Sequence, residues 1–523
     1  MLLRDIVNRN ARMYPQRTAT VWGSIRHTFA EFRERINRLA NALMDLNVVP
    51  GDRVAVLLQN CSPYLELHFA IPQAGMIIVT LNYRNREREL VYAINDSGAN
   101  TLIAGADYID TVNALRPEIP AVKNFISIGR KVDGYHEYEG LLSRYPAEEP
   151  KVQVREEDIC ALIYTSGTTG RAKGVMITQK NVITQFINSH ATIPLFPEDI
   201  CLNCFPYYHV TFVRSTTFMA MGATNICADF SPRATCELMS RERVTQLAMT
   251  PAQVNLLVNY PDVAKYDLSS ARKLLLAGGP CPLATLKKFF DVFSKDFEIF
   301  RPSFGMTEAC GALLGNTIRR DMLGEIERKM GSFKRQKVGG ISVGVAYPYC
   351  EVRIVNEKDE DLPPGAVGEI IARGDNVMKG YWRQTEATQG ILRNGWLHSG
   401  DLGFFTNEGE VYVVDRKKDM ILSGDENIYP AEVEEVLHSH PSILEAAVIG
   451  VPDAKWGETV KAIVVLKEGA RATSTEIIEY CKGMLSSYKK PTSVDFVDRL
   501  PRNPSGKVLK TELRKPYWGE LKK

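Results

Sequence analysis

Residues 164–174 read Y-T-S-G-T-T-G-R-A-K-G. Thr165, Ser166, Thr168 and Thr169 bring hydroxyls, and Gly167 and Gly170 let backbone amides approach a ligand closely. Lys173 adds a positive charge. Together these groups suit phosphate oxygens; a polar surface turn is the bland reading of the same composition. Apolar runs over 159–164 and 175–177 flank the loop, so it joins two strands. A Walker A loop needs G-x-x-x-x-G-K-[ST] between a strand and a helix. Here two residues separate Gly170 from Lys173 and a strand follows, which excludes it.

Other stretches carry complementary chemistry. F-G-M-T-E over 304–308 offers the Glu308 carboxylate to Mg²⁺, a cation that prefers carboxylate and phosphate oxygens. Thr307 adds a hydroxyl and Phe304 a flat face. G-W-L-H-S-G-D over 395–401 ends in Asp401, whose two acceptor oxygens suit a diol. D-R-K-K over 415–418 supplies Arg416 and Lys418, and P-R-N-P-S-G-K over 501–507 is a defined loop ending in Lys507. Gly279 and Pro280 belong to a Gly-Pro turn after an apolar strand over 273–276. His209 lies in F-P-Y-Y-H-V over 205–210; a lone histidine is more often structural than catalytic.

The elements that must position these groups alternate. A helical pattern over 28–46, with Thr28 as N-cap, leads through Gly51 to a buried strand over 53–58. A helix over 64–73 and a strand over 76–80 continue the series, which predicts an α/β layered architecture with substantially parallel sheet. Short strands and turns over 338–414 predict a small β-rich lobe. After residue 418 the alternation restarts, with helices over 430–438 and 474–485 and strands over 445–451, 460–466 and 493–497. A chain of 523 residues exceeds one core, and the boundary falls near Lys418.

Composition narrows the function. Charged residues make up 24% and hydrophobic ones 45%, with a net charge of +2 and no basic block, which argues against a nucleic-acid surface. No apolar stretch reaches the ~18 residues of a transmembrane helix, and the N-terminus acquires charge at once, unlike a signal peptide. Ten cysteines without a repeating spacing suit reduced thiols in the cytoplasm. Cys201 and Cys204 form one C-x-x-C near His209, too few ligands for zinc. Gly340 to Gly344 match the hydrolase elbow G-x-S-x-G, but A-Y-P-Y over 346–349 blocks the helix that elbow needs.

These motifs, in this order from Tyr164 to Lys507, closely resemble the adenylate-forming superfamily of acyl-CoA synthetases, peptide-synthetase adenylation domains and luciferases. The chain departs at Ala172, where many members have proline, and at Phe304, where many have tyrosine. The resemblance implies α/β architecture: a large N-terminal domain of layered α/β subdomains with a β-rich lobe, and a small mobile α+β C-terminal domain. It divides the chain into an AMP-binding domain, 1–416, and a mobile domain, 417–523, carrying Lys507. It implies ATP, Mg²⁺ and coenzyme A. The 165–173 loop would clamp the departing pyrophosphate, with Thr165 and Glu308 as Mg²⁺ ligands and Thr307 on the α-phosphate. Phe304 and Gly305 would meet the adenine, Gly279 and Pro280 would wall the acyl pocket, and Asp401 and Arg416 would hold the ribose. Lys418 would be the hinge. Lys507 would bridge the substrate carboxylate and the α-phosphate. His209 would sit where that carboxylate meets the pantetheine path. Gly424, in S-G-D-E-N over 423–427, would face the pantetheine tunnel, and Asp425 departs there from a common glycine.

The expected function is that of an ATP-dependent acyl-CoA synthetase, a ligase acting on an apolar fatty, alicyclic or aryl acid. The rivals are an enzyme loading a carrier-protein pantetheine thiol, an amino-acid-activating enzyme in which Asp229 grips the amine, and an inert scaffold. Expected partners are small molecules, with no nucleic acid and no transmembrane segment; peripheral membrane contact and a homodimer stay open.

Overall fold

The computed structural model describes residues 1–165, 172–210, 212–279, 281–293, 297–333, 341–424, 426–502 and 508–518. The alternation read from the sequence builds two large, mainly parallel sheets. The helix Phe29–Asp45 starts where expected: the Thr28 hydroxyl accepts from the Glu31 amide, and the Glu31 carboxylate takes the Thr28 amide in return.

In the eight-stranded sheet, Arg53–Leu57 lies at the centre between Ile77–Thr80 and Thr101–Gly105, all parallel. These strands are mostly apolar and buried, as expected of parallel strands covered on both faces. Ile159–Thr165 pairs parallel with Ile77–Thr80, and Lys173–Thr178 then turns back antiparallel beside it. The two-residue strand Gly380–Tyr381 closes this edge, setting Tyr381 opposite Val175.

The nine-stranded sheet runs parallel through Thr18–Trp22, Thr224–Ile226, Ile200–Asn203, Gln246–Met249, Lys273–Leu276 and Ile299–Met306. Gly311–Gly315 and Val345–Ala346 extend it antiparallel. The strand Val345–Ala346 stands where a hydrolase elbow would start its helix. Cys201 and Cys204 enter separate apolar cores, so the C-x-x-C serves packing.

The β-rich lobe is an antiparallel sheet of Glu351–Val355, Gly368–Arg373, Trp396–Phe405, Leu392–Arg393 and Val411–Arg416. One difference from expectation matters: the strand Trp396–Phe405 runs through the whole G-W-L-H-S-G-D motif. Glycine, serine and aspartate weaken the strand signal there, and register shifts in pairing with both neighbours absorb the irregularity.

Past the turn at 417–419 a fourth sheet forms, from Ile421–Ser423, Glu426–Ile428, Ile443–Asp453, Gly457–Leu466 and Ser493–Phe496. It has its own core around Val433, Val448, Ala462 and Ile477. The helices Pro430–His438 and Ser474–Met484 match the expected spans closely. Tyr429 packs with Phe404 and Tyr412 of the lobe, the Ala431 amide donates to Asp415 at 2.9 Å, and Arg514 pairs with Asp419 at 2.8 Å. Among the described residues no helix is long and apolar enough to cross a membrane.

Candidate active site

The phosphate-loop motif connects adjacent antiparallel strands, with Thr165 and Lys173 as directly paired residues. Ser166, Gly167, Thr168, Thr169 and Gly170 lie outside the described residues. The Tyr92 hydroxyl donates to the Ala172 carbonyl at 3.1 Å, tying down the loop's far end. The Lys173 ammonium sits 4.9 Å from the centre of the Tyr381 ring, a cation–π contact. The Tyr381 hydroxyl donates to Glu308 Oε1 at 2.8 Å. One tyrosine, unmarked by any motif, thus joins the phosphate loop to the F-G-M-T-E segment. Its only sequence signal is an aromatic residue after a glycine, far along the chain.

Glu308 sits on the 3-10 turn Thr307–Ala309, after the strand Ile299–Met306. The approach to that turn is tight. A Cβ on Gly305 would lie 2.0 Å from the Gly311 carbonyl oxygen and 2.6 Å from the Ala312 Cα, both backbone atoms. Gly305→Ala is therefore expected to cost roughly 1–3 kcal/mol of stability and to depress adenylation together with the thermal midpoint. An alanine variant with unchanged melting and turnover would contradict the close approach.

Glu308 is 8% exposed, and its backbone carbonyl takes the Met378 amide at 2.8 Å. Burial raises its pKa; the Tyr381 hydrogen bond, Arg416 and Lys173 oppose the rise. A carboxylate raised in the folded state holds its proton more tightly there. Its cost to the fold is absent below the ordinary glutamate range and grows as pH rises through the folded-state value. Tyr381→Phe keeps the ring under Lys173 and removes a donor that favours the charged carboxylate. The acid limb of magnesium-dependent turnover is expected to move to higher pH, read from kcat/KM against pH at fixed MgATP. An unmoved limb would exclude Glu308 as the group whose ionisation is required.

Asp401 and Arg416 face each other across the pair Trp396–Phe405 and Val411–Arg416, with Arg416 Nε 3.3 Å from Asp401 Oδ1. Arg416 also opposes the rise in the Glu308 pKa, so one guanidinium acts electrostatically on both Asp401 and Glu308. Lys418 is exposed in the 417–419 turn. Gly424 has φ +61°, the left-handed region glycine favours, and its amide donates to the Trp456 carbonyl at 2.7 Å. Asp425, Pro280 and Lys507 lie outside the described residues. The ends of the lysine loop are held together by a bridge between Arg502 and Val508 and by the Leu509 amide on the Pro501 carbonyl at 2.8 Å.

On the acyl side, a Cβ on Gly279 would meet nothing within 4 Å, so the turn borders open space. Burial, with Arg84 adding to it, holds the His209 imidazole down to about 4, so it is neutral at pH 7. Its Nε2 is buried with no hydrogen-bond partner among the described residues. Phe212, three residues after His209, stacks on His68 at 4.4 Å between ring centres inside a hydrophobic core. Asp229 accepts from the Asn60 amide at 3.4 Å, and burial raises its pKa against Asn60 and Arg84.

Among the described residues no three His, Cys, Asp or Glu side chains converge to cage a metal. Glu308, with Oε1 on Tyr381 and no side-chain hydrogen bond on Oε2 among the described residues, fits a cation that arrives with substrate phosphates and needs one or two protein carboxylates.

The pattern of a family described as "AMP-binding enzyme" matches residues 7–382, and that of the "AMP-binding enzyme C-terminal domain" matches residues 432–507. A feruloyl-CoA synthase of Amycolatopsis sp is 39% identical over 516 residues, 97% of this chain and 98% of that protein. A long-chain-fatty-acid–CoA ligase of Mycobacterium tuberculosis is 33% identical, covering 98% of each. The o-succinylbenzoate CoA synthetase of Bacillus subtilis, solved with its acyl-adenylate intermediate, superposes with a TM-score of 0.82 at 31% identity over 97% of both chains.

Proposed function

Because the chain belongs to the AMP-binding enzyme family, we propose that it is an ATP-dependent acyl-CoA synthetase. The observation that carries this reading is one constellation drawn from three sheets: Lys173, Tyr381 and Glu308 in a chain of contacts, with Arg416 and Asp401 beside them. A phosphate-binding cation, a metal carboxylate and a diol-binding carboxylate around one cleft are what MgATP requires.

In the first step a carboxylate oxygen of the acid attacks the α-phosphorus, and the bond to the β-phosphate oxygen breaks. Pyrophosphate leaves and the acid is joined to AMP. Lys173 and the 165–170 hydroxyls and amides hold the departing phosphates. Asp401 accepts from the ribose hydroxyls, oriented by Arg416, and Phe304 and Gly305 lie against the adenine. Lys507 neutralises charge shared by the carboxylate and the α-phosphate. Glu308 and Thr165 would hold magnesium, which would supply charge neutralisation on the phosphate oxygens. In the second step the sulfur of coenzyme A attacks the acyl carbonyl, the carbon–oxygen bond to AMP breaks, and the thiol proton is released. Neutral His209 lines this path without adding charge, and rotation of the 417–523 domain about Lys418 exchanges Lys507 for the Gly424 loop.

Relatives named as CoA synthases and ligases align over almost the whole chain, which favours coenzyme A over a carrier-protein thiol. An amino acid is disfavoured because Asp229 is occupied by the Asn60 amide and faces cationic Arg84. Feruloyl and long-chain fatty acyl groups, the acids of two relatives by name, both have apolar bodies, and the same is proposed here. All ten cysteines are free and buried, as suits a cytoplasmic protein. The test is pyrophosphate release over a panel of carboxylic acids, with and without coenzyme A. Release should require the acid, and sustained turnover should require coenzyme A. Pyrophosphate release indifferent to every acid would refute the reading.

A further inference from the structure

Arg214 lies on the helix Phe212–Ala220, which begins just after the His209 segment. It is 4% exposed, and Nε, Nη1 and Nη2 all lack a hydrogen-bond partner among the described residues. Its one ring contact is to Phe218, 4.8 Å from the centroid. A guanidinium has five N–H donors, stays charged, and is rarely buried without an anion.

The surroundings deepen the anomaly. Arg301 and Lys273, 5% and 6% exposed, are the other buried cations of this region, and His190 also lies within electrostatic reach of Arg214 and Lys273. Arg301 donates from Nη1 and Nη2 to neutral groups, the Thr192 and Gly315 carbonyls and the Thr317 hydroxyl, and its Nε lacks a partner among the described residues. Asp199 is the acid here, and it is committed elsewhere: to the Thr245 hydroxyl at 2.7 Å, the Phe196 amide at 2.9 Å and Lys273 at 3.9 Å. Among the described residues, three cations against one committed carboxylate leave a buried excess of positive charge.

This charge lies below the reaction site. Arg301 is five residues before Met306 on the strand Ile299–Met306 that leads to Glu308, about 17 Å along the strand. The helix Gln179–Thr192 descends in parallel. Gln185 lies against Gly311, close to the Glu308 turn, and His190, about 7 Å further along the axis, reaches Arg214. The Oε1 of Gln185 is also buried and without a partner among the described residues, joining Arg301 Nε and the Arg214 guanidinium.

We propose that Arg214 binds a second carboxylate at the far end of the acyl group, so that the acid activated by this enzyme is a dicarboxylic acid with an apolar middle. A carboxylate accepts two parallel N–H bonds from a guanidinium and neutralises it, which a neutral hydroxyl or an alkyl terminus does not. The inference rests on the synthetase reading and narrows its substrate.

The test compares matched acids, suberate with octanoate and 4-carboxycinnamate with cinnamate, in wild type and Arg214→Met. In wild type the diacid should exceed its monoacid in kcat/KM by roughly a hundredfold or more, as expected where a buried polar group would otherwise go unpaired. Arg214→Met should lower diacid turnover by a similar factor and raise that of the monoacid. Without any acid, Arg214→Met should melt at a higher temperature, because an unpaired buried charge has been removed. Monoacids preferred by wild type, or a variant that melts lower, would overturn the inference. Binding is read separately from turnover: suberate or 4-carboxycinnamate should raise the melting temperature of wild type and not of the variant, and no such shift also overturns it. No pyrophosphate release with any acid would instead refute the synthetase reading itself.

Discussion

Replacing Lys507 with alanine lowers acyl-adenylate formation by roughly a hundred- to a thousandfold, the usual cost of removing one donor aimed at developing charge. Thioester formation from supplied acyl-adenylate falls far less. The asymmetry follows from where the lysine acts. As the carboxylate oxygen closes on the α-phosphorus, two anionic groups are forced together, and only the first half-reaction requires that encounter. The loop carrying Lys507 belongs to the small C-terminal sheet unit, joined to the rest near the turn at 417–419. Its ends are pinned by the Arg502–Val508 bridge, so Lys507→Ala changes a charge without removing the loop's closure. Single-turnover measurements of each half-reaction check this. An equal loss in both would contradict a lysine dedicated to adenylation.

The second large effect is expected at Glu308. Glu308→Gln keeps the shape and an acceptor for the Tyr381 hydroxyl but removes the charge proposed to hold magnesium. Adenylation should fall by roughly a hundredfold or more at fixed MgATP, since loss even of a group supporting a metal ligand costs 10–100-fold in affinity. Part of the loss should return at high magnesium. The fold should respond the other way. Burial raises this carboxylate's pKa, so its ionised form burdens the native state at neutral pH. The glutamine variant should therefore melt at the same temperature or higher. A variant that loses activity and stability together would make Glu308 a structural residue.

The legible parts of the molecule are those where local chemistry and tertiary role agree. The Thr28–Glu31 capping box marks a helix start within four residues, and the helix follows. The apolar run at 159–164 and the run after Lys173 read as strands and form an adjacent antiparallel pair. Contacts made by distant, unremarkable residues were hidden. Tyr381 matters because a two-residue strand brings it beside Val175, and no local pattern encodes that pairing. Phe212 packs on His68 in the core, a contact that nothing near it in the sequence marks. Arg214, four residues after a motif-like segment and surrounded by Val, Ser and Thr, gives no sign in sequence that its guanidinium is buried without a partner among the described residues. The strand Trp396–Phe405 was half visible: its apolar end reads as strand, while the Gly400 turn conformation, φ +70°, obscures the rest.

The central claim is that the acid's own oxygen attacks the α-phosphorus before coenzyme A takes the acyl group. Turnover of an acid labelled with oxygen-18 in its carboxylate, followed by mass spectrometry of AMP and of the thioester, tests it directly. One labelled oxygen should appear in AMP and one should remain in the acyl-CoA carbonyl, with the two products formed in equal amounts. Unlabelled AMP, label in inorganic phosphate, or ADP as the nucleotide product would contradict it.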